Sequence, residues 1–173
     1  MATAVHHSVG GVAATLPPMA MVTVNGIEEM RELVGKPVGP SDWVEVTQEK
    51  IDTFAELSRD DQWIHVDVER AERESPFGTT VAHGNLTLSL IDGFRRDLIS
   101  QEGVAMGVNY GWDKVRFPAP VPAGSRVRAT AEVESVEELE GGWWHVVTKY
   151  TLEREGSEKP VCVAKSVGRA LLA

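Results

Sequence analysis

"GNLTLSLIDGFRRDLISQ", residues 84–101, spaces Leu86, Leu90, Phe94 and Leu98 by four, with Ile91 beside them. Side chains three and four apart share a helix face, so this spacing predicts a long helix with one strongly apolar side. Gly93 inside it costs about 1 kcal/mol relative to alanine, which leads us to expect close approach of another backbone. From Val104 onward the period changes to two. "GVNYGWDKVRF" alternates Val115 and Phe117 with Lys114 and Arg116, and "SRVRATAEVESVEE" puts Val127, Ala129, Ala131 and Val133 on one face. Gly141 and Gly142 mark a turn, after which "WWHVVTKYTLER" and "VCVAKSVGRALL" read as two more long strands.

Upstream, "NGIEEMRELVG" gives a short amphipathic helix from Ile27, Met30 and Leu33 or Val34, stopped at Gly35. "DWVEVT" alternates like a strand, and Thr47 is placed to cap the helix "QEKIDTFAELS", whose Ile51, Phe54, Ala55 and Ser58 share a face. Helices first and a meander of long strands afterwards make an α+β fold, one helix packed on one face of a curved antiparallel sheet. Such a sheet leaves edges open, and pairing them across a two-fold axis predicts a homodimer.

The 173 residues suit one core, so residues 25–173 form a single domain in this reading. Residues 1–24 lack Asp, Glu, Lys and Arg and read as a flexible N-terminal tail, with His6 and His7 a fortuitous pair in it. A hydrophobic fraction of 42% with 25% charged residues describes a soluble globular chain, and no apolar run is long enough for a bilayer. The formal charge of -9 argues against nucleic acid. A single cysteine, Cys162, excludes an internal disulfide framework and reads as a packed, inert thiol, consistent with the cytoplasm.

"DDQWIHVD", residues 60–67, concentrates chemistry in a loop where Asp60 and His65 are not needed for packing. "FAELSRDDQWIHVDVERA", "AHGNLTLSL" and "VRFPAPVPAGSRVR", in that order, resemble the MaoC-like dehydratases, the R-specific enoyl-CoA hydratases of the hot-dog fold, over about Asp42 to the C-terminus. Phe54, Leu57, Asp60, Ile64, His65 and Ala71 fit the family's loop pattern, while Arg59, Gln62 and Trp63 stand where it has glycine, asparagine and proline. "NYGWDKVRFPAPV" and "QWIH" are similar to a subgroup with nodulation-protein-like members. The resemblance implies a long central helix wrapped by a curved antiparallel sheet, Asp60 and His65 as the catalytic pair, and Gly84 as the backbone oxyanion donor.

The implied reaction is addition of water to a trans-2-enoyl-CoA to give the (R)-3-hydroxyacyl-CoA, or its reverse. Water must lose a proton as it attacks Cβ, and Cα must gain one. A histidine near 6.5 suits the first task at neutral pH, so His65 is read as the base and Asp60 as the partner that orients the water and relays a proton to Cα, the sequence leaving the converse assignment open. The thioester oxygen gains enolate charge, and one N–H at a helix start is commonly worth about 3 kcal/mol to it. No cofactor is expected, and no metal: His83 could join His65 and Asp67 as a ligand set but reads as a structural hydrogen bonder.

Gln62 is placed to present an amide to Asp60 or to a water. Ser89, one turn into the helix, either contacts substrate or bonds its own helix. Coenzyme A brings phosphates, for which Lys114 with Arg116 and Arg126 with Arg128 form two short basic rows, Arg95 and Arg96 being also at hand. Their alternative is solvated charge on an exposed face. Two other functions compete: thioester hydrolysis, with Asp92 as the helix acid, and non-catalytic acyl-CoA binding behind the altered loop.

Overall fold

A computed structural model describes residues 21–173. The elements run β1 (Val22–Asn25), α1 (Gly26–Glu32), β2 (Pro37–Val38), β3 (Val44–Val46), α2 (Gln48–Ser58), α3 (Trp63–Val66) and α4 (Val68–Glu74). They continue with α5 (Gly84–Ser89), α6 (Ile91–Leu98), β4 (Ile99–Glu102), β5 (Val104–Arg116), β6 (Ser125–Glu138), β7 (Trp143–Arg154) and β8 (Cys162–Leu172). The main sheet is antiparallel in the order β2-β6-β7-β8-β5, with β3 also on β6, and this is the α+β hot-dog fold that the sequence implied.

The two-residue period of β6 is realised in full. Val127, Ala129, Ala131 and Val133 are all buried, as are Tyr150, Leu152, Cys162 and Ala164 from the neighbouring strands. Onto this surface the central helix lays Ile91, Phe94 and Leu98, while Met30 and Ile27 of α1 and Ile51 of α2 close the core. Thr47 caps α2 as expected, its hydroxyl accepting from the Lys50 N–H at 3.3 Å.

Several expectations need correction. The helix read over 84–101 is two segments, α5 and α6, joined at Leu90, which keeps helical dihedrals. It ends at Leu98, and Ile99–Glu102 form β4, because β1 offers a parallel partner there. That pairing also corrects the tail: Val22–Asn25 belong to the fold, while the rest of the tail reading, with His6 and His7, lies outside the described residues. A methyl at Gly93 would meet nothing within 4 Å, so close backbone approach does not explain that glycine.

The basic rows fail for two reasons. Lys114 has φ 52 and the β5–β8 register shifts between Asp113 and Arg116, so alternation breaks where Lys114 and Arg116 were read as one row. Arg126 pairs with Glu155 and Arg128 with Glu153, and the Arg128 guanidinium lies 4.4 Å over the Trp43 ring, so this row is neutralised by the next strand.

Candidate active site

The loop after α2 starts with Arg59 in the left-handed region, φ 59 and ψ 27, which turns the chain sharply off the helix. An L side chain in that region costs about 1–2 kcal/mol, and here an arginine bears it where the MaoC-like pattern has glycine. Trp63 replaces proline at the first position of α3, where proline is favoured only because its ring presets the backbone, so the helix survives the change. Its indole faces the Arg70 guanidinium at 4.4 Å. Gln62 stands just before α3 but makes no side-chain cap, and its side chain is exposed.

His65 is 7% exposed and held from several directions. Its N–H donates to the Gln62 carbonyl at 2.9 Å, and its own carbonyl accepts from Gln48 Nε2 at 2.8 Å. Its Nδ1–H donates to the Val81 carbonyl at 2.6 Å. A carbonyl only accepts, so Nδ1 carries a proton, and in the neutral ring the lone pair is then on Nε2. Gln48 Oε1 in turn accepts from the buried Thr80 hydroxyl at 2.5 Å, tying α2, α3 and the 80–83 segment together. Gln48, Thr80 and Val81 carried no signal in the sequence, because their partners lie 16 to 32 positions away.

His83 is only 3% exposed and donates Nε2–H to the Asp60 carbonyl at 2.8 Å, which makes it the structural hydrogen bonder expected of it. Its ring stacks on His65 with centroids 3.7 Å apart and planes at 26°, and Phe54 leans on its other side. Side-chain oxygen and nitrogen atoms of Asp60, His65 and His83 all lie within 4.8 Å of one another, and Asp60 is exposed. This is also a donor set for a metal, with Asp60 in the place that the sequence gave to Asp67. His83 commits its Nε2–H to the Asp60 carbonyl, and its ring lies stacked on that of His65. The arrangement suits a carboxylate and an imidazole sharing one water.

Gly84 opens α5, and the first N–H groups of a helix have no acceptor within it. A methyl here would come within 2.8 Å of the Phe117 ring, so the missing side chain keeps that contact possible. Gly84, Thr87, Phe77, Phe117 and Val161 line a cavity of about 270 Å³ beside it. Ser89 is exposed and donates to the Leu86 carbonyl at 2.7 Å, so of its two readings the structure realises the bond to its own helix. Arg116 is exposed and donates to the Val115 carbonyl at 2.7 Å.

A model of the MaoC-like domain matches residues 29–155. The chain belongs to this family. It is 48% identical over 149 residues to 3-hydroxyacyl-thioester dehydratase Z of Mycobacterium tuberculosis, covering 86% of this chain and 98% of that protein. It is 44% identical over 133 residues to nodulation protein N of Rhizobium leguminosarum, covering 76% and 82%. The solved structure of a monoamine oxidase regulatory protein from Archaeoglobus fulgidus superposes with a TM-score of 0.72 at 25% identity, over 90% of this chain and 99% of that one. As a MaoC-like protein it is an enzyme of the hydro-lyase class, a hydratase or dehydratase. No helix among the described residues is long and apolar enough to cross a membrane.

Proposed function

We propose that this MaoC-like enzyme hydrates trans-2-enoyl-CoA thioesters to (R)-3-hydroxyacyl-CoA, or dehydrates them in reverse, without metal or organic cofactor. The observation that carries this is the Asp60–His65 pair, side by side at one end of the central helix with the His65 lone pair on Nε2. In the hydration direction His65 Nε2 takes a proton from the water whose oxygen attacks Cβ. Asp60 holds that water and relays the proton taken by His65 on to Cα, so that the imidazole ends the cycle neutral. The Gly84 N–H meets the thioester oxygen as it becomes an enolate, and the low-dielectric cavity beside it strengthens that bond. His65 is given the accepting role because its Nδ1–H is committed to the Val81 carbonyl, which leaves Nε2 of the neutral ring to take the proton.

The long β5 edge supports a homodimer. Met106, Val108 and Tyr110 on it are 46%, 42% and 61% exposed, more apolar surface than a free edge should show. Thioester hydrolysis has no comparable support, since Asp92 is exposed on α6 and is absent from the His65 cluster.

The test is the loss of enoyl-thioester absorbance with crotonyl-CoA and a longer 2-enoyl-CoA, followed together with free thiol. Asp60→Asn and His65→Gln should each lower kcat by at least two orders of magnitude while leaving the fold intact by circular dichroism. Release of thiol, or full activity in either variant, would overturn the reading.

A further inference from the structure

A second cavity, of about 220 Å³, lies between the C-terminal half of the central helix and the inner face of the sheet. Thr148, Tyr150 and Ser166 form its floor, 7%, 2% and 5% exposed. Thr148 and Ser166 are cross-strand partners, and Tyr150 follows two residues on, so strand alternation puts all three on one face. No hydrogen bond joins any of the three hydroxyls to another described residue, and none is among the fully enclosed unpaired polar atoms, so all three open onto the cavity. Three hydroxyl donors open to one space suit a ligand that brings oxygen atoms.

The charge at the rim says which kind. Arg95 and Arg96 of α6 line the same cavity, and among the described residues neither has a carboxylate in ion-pair contact. The same helix carries Asp92, three and four residues before Arg95 and Arg96, and Asp97 directly after them. Burial pushes the Tyr150 phenol well above its ordinary value, and of the two charges that act on it Arg95 outweighs Asp92. Arg95 and Arg96 thus bring positive charge to the cavity inside a chain whose formal charge is -9. Gln101 of β4 adds an amide to the wall, and Met30, Ile99, Val146 and Ala170 supply apolar area.

We propose that this cavity binds an oxyanion carried by the thioester substrate, a carboxylate or a phosphate, with Arg95 as the charge partner and Thr148, Tyr150 and Ser166 as donors. The proposal deepens the enoyl-thioester reading and rests on it. Gly84 and Arg95 are eleven residues apart, on α5 and α6, which with the helical joint at Leu90 is about 16 Å of helical rise. A substrate lying along that helix presents its thioester at one end and its anion at the other. Two sources fit: the far end of a carboxylated acyl chain, and the nucleotide phosphates of coenzyme A.

Steady-state kinetics on wild type and Arg95→Gln separates the sources. The substrates are a plain medium-chain 2-enoyl-CoA, its ω-carboxylated analogue, and the plain chain on pantetheine without the nucleotide. A carboxylate ligand predicts at least tenfold lower KM for the ω-carboxylated chain in wild type, lost in Arg95→Gln with kcat retained. A phosphate ligand predicts that Arg95→Gln raises KM at least tenfold on both CoA thioesters and leaves the pantetheine thioester unchanged. Equal KM values for wild type and variant on all three substrates overturn the proposal.

Binding is measured apart from turnover. Glutarate and inorganic phosphate at millimolar concentration are scored by thermal shift on wild type, Arg95→Gln and Ser166→Ala. Stabilisation of wild type by either anion, lost in both variants, supports the cavity even if no enoyl thioester is turned over, which would then sink the hydratase reading alone. No stabilisation of wild type by either anion, or equal stabilisation of all three proteins, overturns the proposal.

Discussion

Replacing Gln48 by alanine should weaken the fold and the catalytic loop together, by an amount the hydrogen bonds allow to be worked out. Gln48 Nε2 donates to the His65 carbonyl at 2.8 Å and to Asp52 Oδ1 at 2.7 Å, while its Oε1 accepts from the Thr80 hydroxyl at 2.5 Å. The Asp52 bond is exposed and counts for little. Each of the other two contributes about 0.5–1.5 kcal/mol net, and the Thr80 hydroxyl, 1% exposed, would be stranded at a further cost of about 1–3 kcal/mol. A loss of about 3 kcal/mol follows, which for a domain of this size lowers Tm by about 6–12 °C. Since Thr80→Val removes the group that would be stranded, the double variant should recover about 1–2 kcal/mol relative to the sum of the singles. The assay is urea unfolding of the four proteins, with turnover of an enoyl thioester alongside. Loss of the His65 anchor should lower kcat about tenfold, because a displacement of about 1 Å at a catalytic group can cost up to a hundredfold. A Gln48→Ala protein within 0.5 kcal/mol of wild type, or strict additivity with Thr80→Val, would refute the reasoning.

Gly84→Ala should displace the Phe117 ring, which a new methyl would approach to 2.8 Å, and should raise KM more than it lowers Tm; a crystal structure with the ring unmoved would count against it. Arg59→Gly removes the penalty of a left-handed arginine but adds the backbone freedom of glycine, so a net gain of about 0.5–1 kcal/mol is expected from chemical denaturation. Burial pushes the Cys162 thiol up to about 11, so the native protein should resist iodoacetamide at pH 8 and react only once unfolded. The native state then holds this proton more tightly than the unfolded chain, so stability present below the unfolded thiol's range is lost as pH rises through about 9 to 11; Cys162→Ala should flatten that part of the stability curve.

The core was legible because it is written in local period: every second residue of β6, and the four-residue spacing that carries Phe94 and Leu98. The helix end was not, because Ile99 continues the apolar pattern but finds a parallel partner in Val22, a long-range contact without a local mark. The basic rows misled for a related reason, since alternation says which residues share a face and nothing of the bulge at Lys114 or the glutamates across from Arg126 and Arg128. At the candidate site, the resemblance to the MaoC-like pattern brought out Asp60, His65 and Gly84. The clamps that orient His65, namely Gln48, Thr80 and Val81, are ordinary polar and apolar residues until the fold brings them together.

The pairing of β1 with β4 has a practical consequence for cutting and rejoining the chain. Asn25 lies across from Glu102, beside Gly103, and the Ala173 N–H donates to the Gly103 carbonyl at 3.0 Å. The last residue and the end of the first strand therefore meet at one corner. Val22 lies three residues back along β1, about 10 Å away, so a linker of a few glycines joins Ala173 to Met21. New termini opened in the exposed turn at Glu155 and Gly156, between β7 and β8, would leave every strand whole. Such a circularly permuted chain keeps the Asp60–His65 loop and the central helix in one uninterrupted segment.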